Sequence, residues 1–429
     1  MKKLLLLVIF ILTLFIGCSK EEPQPEPTPN PPVSPEQPSQ YDVTVTVKMP
    51  GTLSSLIPSS SFKTIKIDGK LNGSDVRYLR GIISSLTKID ISNASIVSGG
   101  DAYFNLTHKT EDNVIGQYMF SQLSGSFEIV LPESVTEIKP KAFTDSPGLL
   151  GVELPSVTYI GDDTFYNCTN LKKITIPTSV SRMGNQVFYG CTSLEKVTIG
   201  SNVSTIGMSS FYNCSSLSEI TLPEKLKVIS SNLLDGTSIE QIIIPSATET
   251  ISTAAFQKCS KLKKVIIGKS VKEIHPWAFN LSNNINAVEI DKNNPYLTIE
   301  SGIIYSKDFK DIVLNVFSKA IELTIKDGVE KIKEQAFGGL SPEKLILPAS
   351  VKTIEHSAFS KSVKEVHCKG VNPPKILWNI TVGSGHYALY AFRQAVETHA
   401  ILFVPSGAKD NYTAPTTGYR LCFETIYEE

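Results

Sequence analysis

The chain has 429 residues, of which 41% are hydrophobic and 19% charged, and its formal net charge is −1. That length holds two or three ordinary domains, or one array of small repeated units with no single central core. A near-neutral chain supplies no basic field for nucleic acid or an anionic bilayer, which argues against both as partners of the folded part.

Met1, Lys2 and Lys3 make a cationic start, Leu4 to Ile16 an apolar run, and Gly17-Cys18 follows. Residues 1–17 read as an export signal, too short to span a bilayer as a mature helix. A small residue before a cysteine resembles a bacterial lipoprotein signal, cleaved before Cys18 and acylated on it. Phe15 stands where such signals usually carry Leu, and a plain signal peptide with an incidental cysteine is the alternative. Residues 18–40 read as lipid attachment and linker, because eight of the twenty residues from Glu21 to Gln40 are proline. Such a segment builds no core and extends by about 3.1 Å per residue. The "KEE" after Ser19 resembles the signal that sends lipoproteins of gut and oral Gram-negative anaerobes to the outer face of the outer membrane. Cell-surface exposure is expected, with periplasmic residence as the other option, and membrane contact only through the lipid.

Residues 41–110 read as an N-terminal cap with the first coils of a repeat. "VTVTV" (Val43 to Val47) alternates strictly and suits an edge strand. "SDVRYLRGI" opens on Ser74 as an N-cap candidate and has helical apolar spacing. "LTKIDISNASI" (Leu86 to Ile96) already has the L-x-x-I-x-I pattern of a repeat strand.

Over residues 111–368 an aromatic position recurs at Phe120, Phe143, Phe165, Phe188, Phe211, Leu234, Phe256 and Phe279, at intervals of 22 or 23 residues. A short run such as Ile174-Thr175-Ile176 follows at constant offset as a strand, closed by Pro177, Gly200, Pro223 or Pro245. The unit then turns through "SV" and an Ile before the next Phe. One such unit cannot bury its own apolar residues; stacking sets each Leu, Ile and Phe over its counterpart and builds a continuous core. The expected fold is an α/β solenoid, a leucine-rich-repeat array of about ten or eleven coils. The period breaks after Phe279 and resumes at Phe337 and Phe359. The insert, at about 281–325, holds "GIIYSKDFKDIVL", two apolar runs around a polar turn, which predicts a hairpin projecting from the stack. Residues 369–429 read as a C-terminal cap.

"FYNC" or "AF" at the turn, "LKKITIP" for the strand, "EIDKNNPYLTIESGIIYSKD" in the insert, and "VHCKGVNPP" to "LFVPSGAKDNY" at the end together resemble the BspA-like leucine-rich-repeat surface proteins. The resemblance covers nearly all of residues 41–429. It implies extracellular binding or adhesion with varied ligands: host or neighbouring-cell macromolecules first, or alternatively a glycan in nutrient capture. A structural envelope spacer without a ligand is a third reading.

Cys168, Cys191, Cys214 and Cys259 share one place in the repeat, three residues after Phe or its equivalent. A small apolar side chain packs there, and its weak S–H donor can meet a backbone carbonyl. Neighbouring rungs bring such thiols near each other, but parallel side chains rarely meet the geometry of a disulfide. Cys368 and Cys422 could pair within the cap. His367-Cys368 has no second pair at ligand spacing, so no metal site is expected. "TVGSGHYA" (Thr381 to Ala388) holds Ser384 and His386 without nucleophile-elbow spacing. No Walker loop, dinucleotide fingerprint or H-E-x-x-H occurs. The chain is expected to be a non-enzyme without a cofactor, and a monomer.

Two outward rows flank each strand's inward residue. One reads Glu153, Thr175, Thr198, Thr221, Ile243, Ile266, Glu289; beside it run Lys173, Lys196, Glu219, Gln241 and Lys264, a mixed-sign set. Tyr166, Tyr189 and Tyr212 follow their Phe residues and should stack as a ladder, either as cover for the core or as a ligand-binding platform. Trp277, in a place usually held by a polar residue such as Asp163, is a second candidate anchor. Protein and glycan both remain open as the ligand.

Overall fold

The computed structural model describes residues 40–429 except 59, 317–320, 338–341, 360–362, 378–390, 393–398, 415, 416, 418 and 424. Cys18, the export signal, the proline-rich linker and the Ser384/His386 segment lie outside the described residues. Residues Tyr41–Glu429 form one compact unit.

Each regular coil has three sides, and each side binds the next coil differently. The first is the strand expected from the sequence: Lys173, Ile174 and Thr175 lie in parallel register with Lys196, Val197 and Thr198. The second is a two-residue strand where sequence reading placed only a turn: Tyr159-Ile160 pairs with Arg182-Met183, which pairs with Thr205-Ile206. With one residue inward and one outward, such a strand is too short to show alternation. The third is the Phe turn, where Phe165 N–H donates to the Val187 carbonyl at 2.8 Å and Asn167 N–H to the Tyr189 carbonyl at 2.8 Å. Backbone groups of a coil thus find partners one coil away on all three sides, while the bends between close within the coil, as with Cys168 N–H to the Phe165 carbonyl.

The Phe turn needs two left-handed residues per coil, two places before and two places after the ring. Asp163 and Asn167 have φ of 54° and 54°, and Ser209 and Asn213 have φ of 56° and 57°. Asn, Asp and Gly tolerate this region best, which is why the repeat writes "FYN" and "FYG". Inside, Phe165 and Phe188 stack at 5.3 Å and Phe188 and Phe211 at 5.5 Å.

The stack makes about 15 turns rather than ten or eleven, because both caps continue it. Helix is scarce among the described residues: Gly73–Ile82 is the longest element. Its N-cap is Asn72 rather than Ser74; Asn72 accepts from Ser74 N–H at 3.0 Å while Asp75 accepts from Asn72 N–H at 3.0 Å. Val43–Val47 pairs with Thr64–Leu71 at the edge of its sheet.

The insert forms a hairpin but does not project. Leu297–Glu300, Ile303–Ser306 and Asp311–Asn315 run antiparallel, and the last pairs in parallel with Lys331-Ile332, so the insert is a course of the stack. Its apolar residues divide between two separate hydrophobic clusters: Ile304, Val313 and Leu314 join the N-terminal core, whereas Ile303, Tyr305 and Ile312 join the C-terminal one, the register shift at Ile304/Tyr305 leaving the consecutive Val313 and Leu314 on one side. A strand apolar on both faces is stable only as such a partition.

Candidate ligand-binding faces

The Cys column is structural. The Cys168, Cys191, Cys214 and Cys259 sulfurs approach the carbonyl oxygens of Phe143, Phe165, Phe188 and Leu234, one coil earlier, at 3.1–3.2 Å. Ser146 and Ser282 fill the same place and donate to Phe120 and Phe256 at 2.6 Å. The position asks for a compact donor, and a thiol meets that need at the smallest desolvation cost. Burial pushes the thiols of Cys168 and Cys191 well above their ordinary pKa, which leaves them poor nucleophiles. Cys368 and Cys422 are likewise buried and free.

Tyr166, Tyr189 and Tyr212 stack as expected, with centroids 4.8 and 4.6 Å apart and planes within 10°. All three are half-buried. Both faces of Tyr189 and one face each of Tyr166 and Tyr212 are spent on this stack, so the ladder presents mainly ring edges and hydroxyls outward. Trp277 is 47% exposed beside Leu281, which is 50% exposed. Its backbone lacks the left-handed conformation of its counterparts Asp163 and Ser209, and its N–H is held by His275 Nδ1 at 3.2 Å. Trp277 stands well along the chain from the Tyr ladder, which ends at the coil of Tyr212, so the four residues do not form one site.

Two further features escaped sequence reading. The strand sheet is interrupted between Leu149–Glu153 and Lys173–Thr175, where no ladder pairing joins the coils. A register shift between Leu149 and Gly151 accompanies the break. Over it lies an open groove of about 540 Å³ lined by Lys88, Glu128, Gly151, Glu153, Lys173 and Lys196, with Val152 and Ile174 below. The signal was the Gly151 of "LLGVELP", which stands where the other coils carry Lys173, Lys196 or Glu219. The second feature is a strip at the C-terminal end of the strand face: His367 and Phe403 stack at 4.4 Å, and Phe403 and Tyr427 at 5.8 Å. "EVHC", "ILFV" and "TIYE" each place a ring third in the strand, but their irregular spacing hides this from a period search.

Among the described residues no helix is long and apolar enough to cross a membrane, and no group of His, Cys, Asp and Glu is placed to hold a metal ion.

A family model described as the BspA type leucine rich repeat region matches in six copies, over residues 57–146, 104–217, 181–301 and 297–372. No curated protein matches the chain. Among solved structures, a leucine rich cell surface protein from Faecalibacterium prausnitzii A2-165 is similar at 17% identity, over 80% of this chain and 83% of that one, with a TM-score of 0.46. A leucine-rich repeat protein from Bacteroides ovatus ATCC 8483 is similar at 18% identity over 66% and 86%, with a TM-score of 0.34. The pneumococcal vaccine antigen PcpA is similar at 16% identity over 80% and 89%, with a TM-score of 0.35.

Proposed function

Because this chain belongs to the BspA-type leucine-rich-repeat family, we propose that it is a surface-displayed repeat protein that binds a partner protein and catalyses no reaction. Its N-terminal sequence supports anchoring through lipid on Cys18 at the outer face of the outer membrane, with the proline-rich segment as spacer. The observation that carries the binding role is the open groove over the interrupted strand sheet, which offers charged groups of both signs above an apolar floor.

A protein ligand fits better than a glycan. Carbohydrate recognition by aromatic rings uses their open faces, and the faces between Tyr166, Tyr189 and Tyr212 are already stacked on one another. Their edges and hydroxyls, with Trp277 farther along, remain available as secondary contacts for a protein surface.

The test is a parallel binding screen of residues 41–429 against matrix proteins, neighbouring-cell surface proteins and polysaccharides. Protein binding that is lost on Gly151→Trp supports the reading. Binding confined to polysaccharides, or protein binding lost only in the combined Tyr166→Ala, Tyr189→Ala and Tyr212→Ala variant with its melting temperature preserved, overturns the groove as the site.

A further inference from the structure

Lys173 and Lys196 stand directly opposite one another in parallel register on adjacent strands. Neighbouring strands are about 4.8 Å apart, and like charges so placed oppose pairing. Both side chains are exposed, and neither has an ion-pair partner among the described residues. Two other lysines of the strand face are paired: Lys264 meets Glu289 at 2.8 Å and Lys344 meets Glu322 at 3.7 Å. Glu219 stands in register on the far side of Lys196 without forming an ion pair, and the lysine pair lies beside the Gly151 notch, where the sheet is interrupted and Val152 and Ile174 come to the groove floor.

We propose, building on the groove reading above, that this end of the groove is an acidic-peptide site in which one ligand carboxylate bridges the Lys173 and Lys196 ammonium groups. A carboxylate presents two oxygens and accepts from both ammoniums, which turns a repulsive pair into two charge-assisted hydrogen bonds. Thr175 and Thr198, in register on the neighbouring outward row, add hydroxyls beside it. Across the notch, Glu128 and Glu153 supply acceptors. An extended peptide matches both ends, since its side chain brings the anion and its backbone N–H groups meet the acceptors. The missing side chain at Gly151 lets that backbone come close. Lys88, at the far end, is occupied by the Tyr41 ring at 5.1 Å and is not the anchor.

The experiment titrates the full chain with a fluorescein-labelled peptide of alternating Glu and Thr at low ionic strength, read by anisotropy. Lys173→Glu/Lys196→Glu should weaken binding by about tenfold or more. Gly151→Trp should do the same by filling the notch; the three atoms nearest a Cβ there belong to the Glu128 side chain, in ordinary contact at 3.6–3.7 Å, so a side chain can start from this position without a clash. Lys172→Glu, outside the groove lining, should leave binding unchanged, and melting temperatures of all variants should match the parent. Equal binding by every variant overturns the site, and preference for polygalacturonate over the peptide overturns the peptide assignment. If the peptide does not bind but a protein from the screen still depends on Gly151, the groove stands and the acidic-peptide site falls. If that protein ignores Gly151→Trp as well, both fall.

Discussion

The sulfur of Cys191 lies 3.1 Å from the carbonyl oxygen of Phe165, one coil back along the stack. Phe165 also accepts the Cys168 backbone N–H at 3.2 Å, so its carbonyl takes one donor from its own coil and one from the next. The thiol is therefore part of the bonding between coils.

Cys191→Ala should cost about 1–2 kcal/mol, from a small void and an orphaned carbonyl lone pair. Cys191→Ser should cost less, because Ser146 and Ser282 already serve in this column. Thermal melting of the two variants checks the order, and reductant should leave the parent's melting unchanged, since the six described cysteines are free.

Stability should decline in alkali. Burial raises the thiols of Cys259, Cys368 and Cys422 from 9.0 to about 12 in the folded chain. Above about pH 9 the unfolded chain loses these protons first, so their contribution is complete below that pH and is lost as pH rises towards about 12. Urea midpoints measured across this range should fall, and replacing Cys168, Cys191, Cys214 and Cys259 by Ser should flatten the decline.

Asn213 sits at φ 57° after the Phe211 turn, in the place where Gly190 and Gly236 occur one coil away on either side. Asn213→Gly should be nearly neutral. Asn213→Val, β-branched in the left-handed region, should cost about 1–2 kcal/mol in chemical denaturation. Equal stability of the two would show that the turn does not need this conformation.

Tyr189 has both ring faces covered, by Tyr166 at 4.8 Å and Tyr212 at 4.6 Å. Tyr189→Ala should therefore lower stability by about 0.5–1.5 kcal/mol beyond the area it uncovers, while Tyr189→Phe keeps the stack. Melting temperatures of the pair separate packing from any role of the hydroxyl.

Cys18→Ala should move the protein out of the membrane fraction and abolish incorporation of labelled lipid. A variant that stays in the membrane pellet would contradict lipid attachment at this residue.

The repeat was legible because its inward residues recur with a fixed period, and Phe165, Cys168 and Ile174 keep their places from coil to coil. Chemistry named the thiols' role as well, since a small apolar donor at a fixed offset from a buried ring has few partners besides a carbonyl. The second sheet was hidden because Arg182-Met183 and its equivalents supply one inward residue each. The in-line course of the insert depended on long-range pairing of Asp311 with Lys331, which no local pattern encodes. The groove arises where pairing stops, and only the glycine at 151 marks it.

The hairpin Ile303–Ser306 and Asp311–Asn315 divides the hydrophobic interior in two, with its side chains committed to opposite clusters. Tension applied between the two ends of the stack then meets two cooperative blocks in series. Single-molecule pulling from both ends should record two unfolding steps, the block beyond the hairpin being able to yield while the coils that carry the groove stay folded.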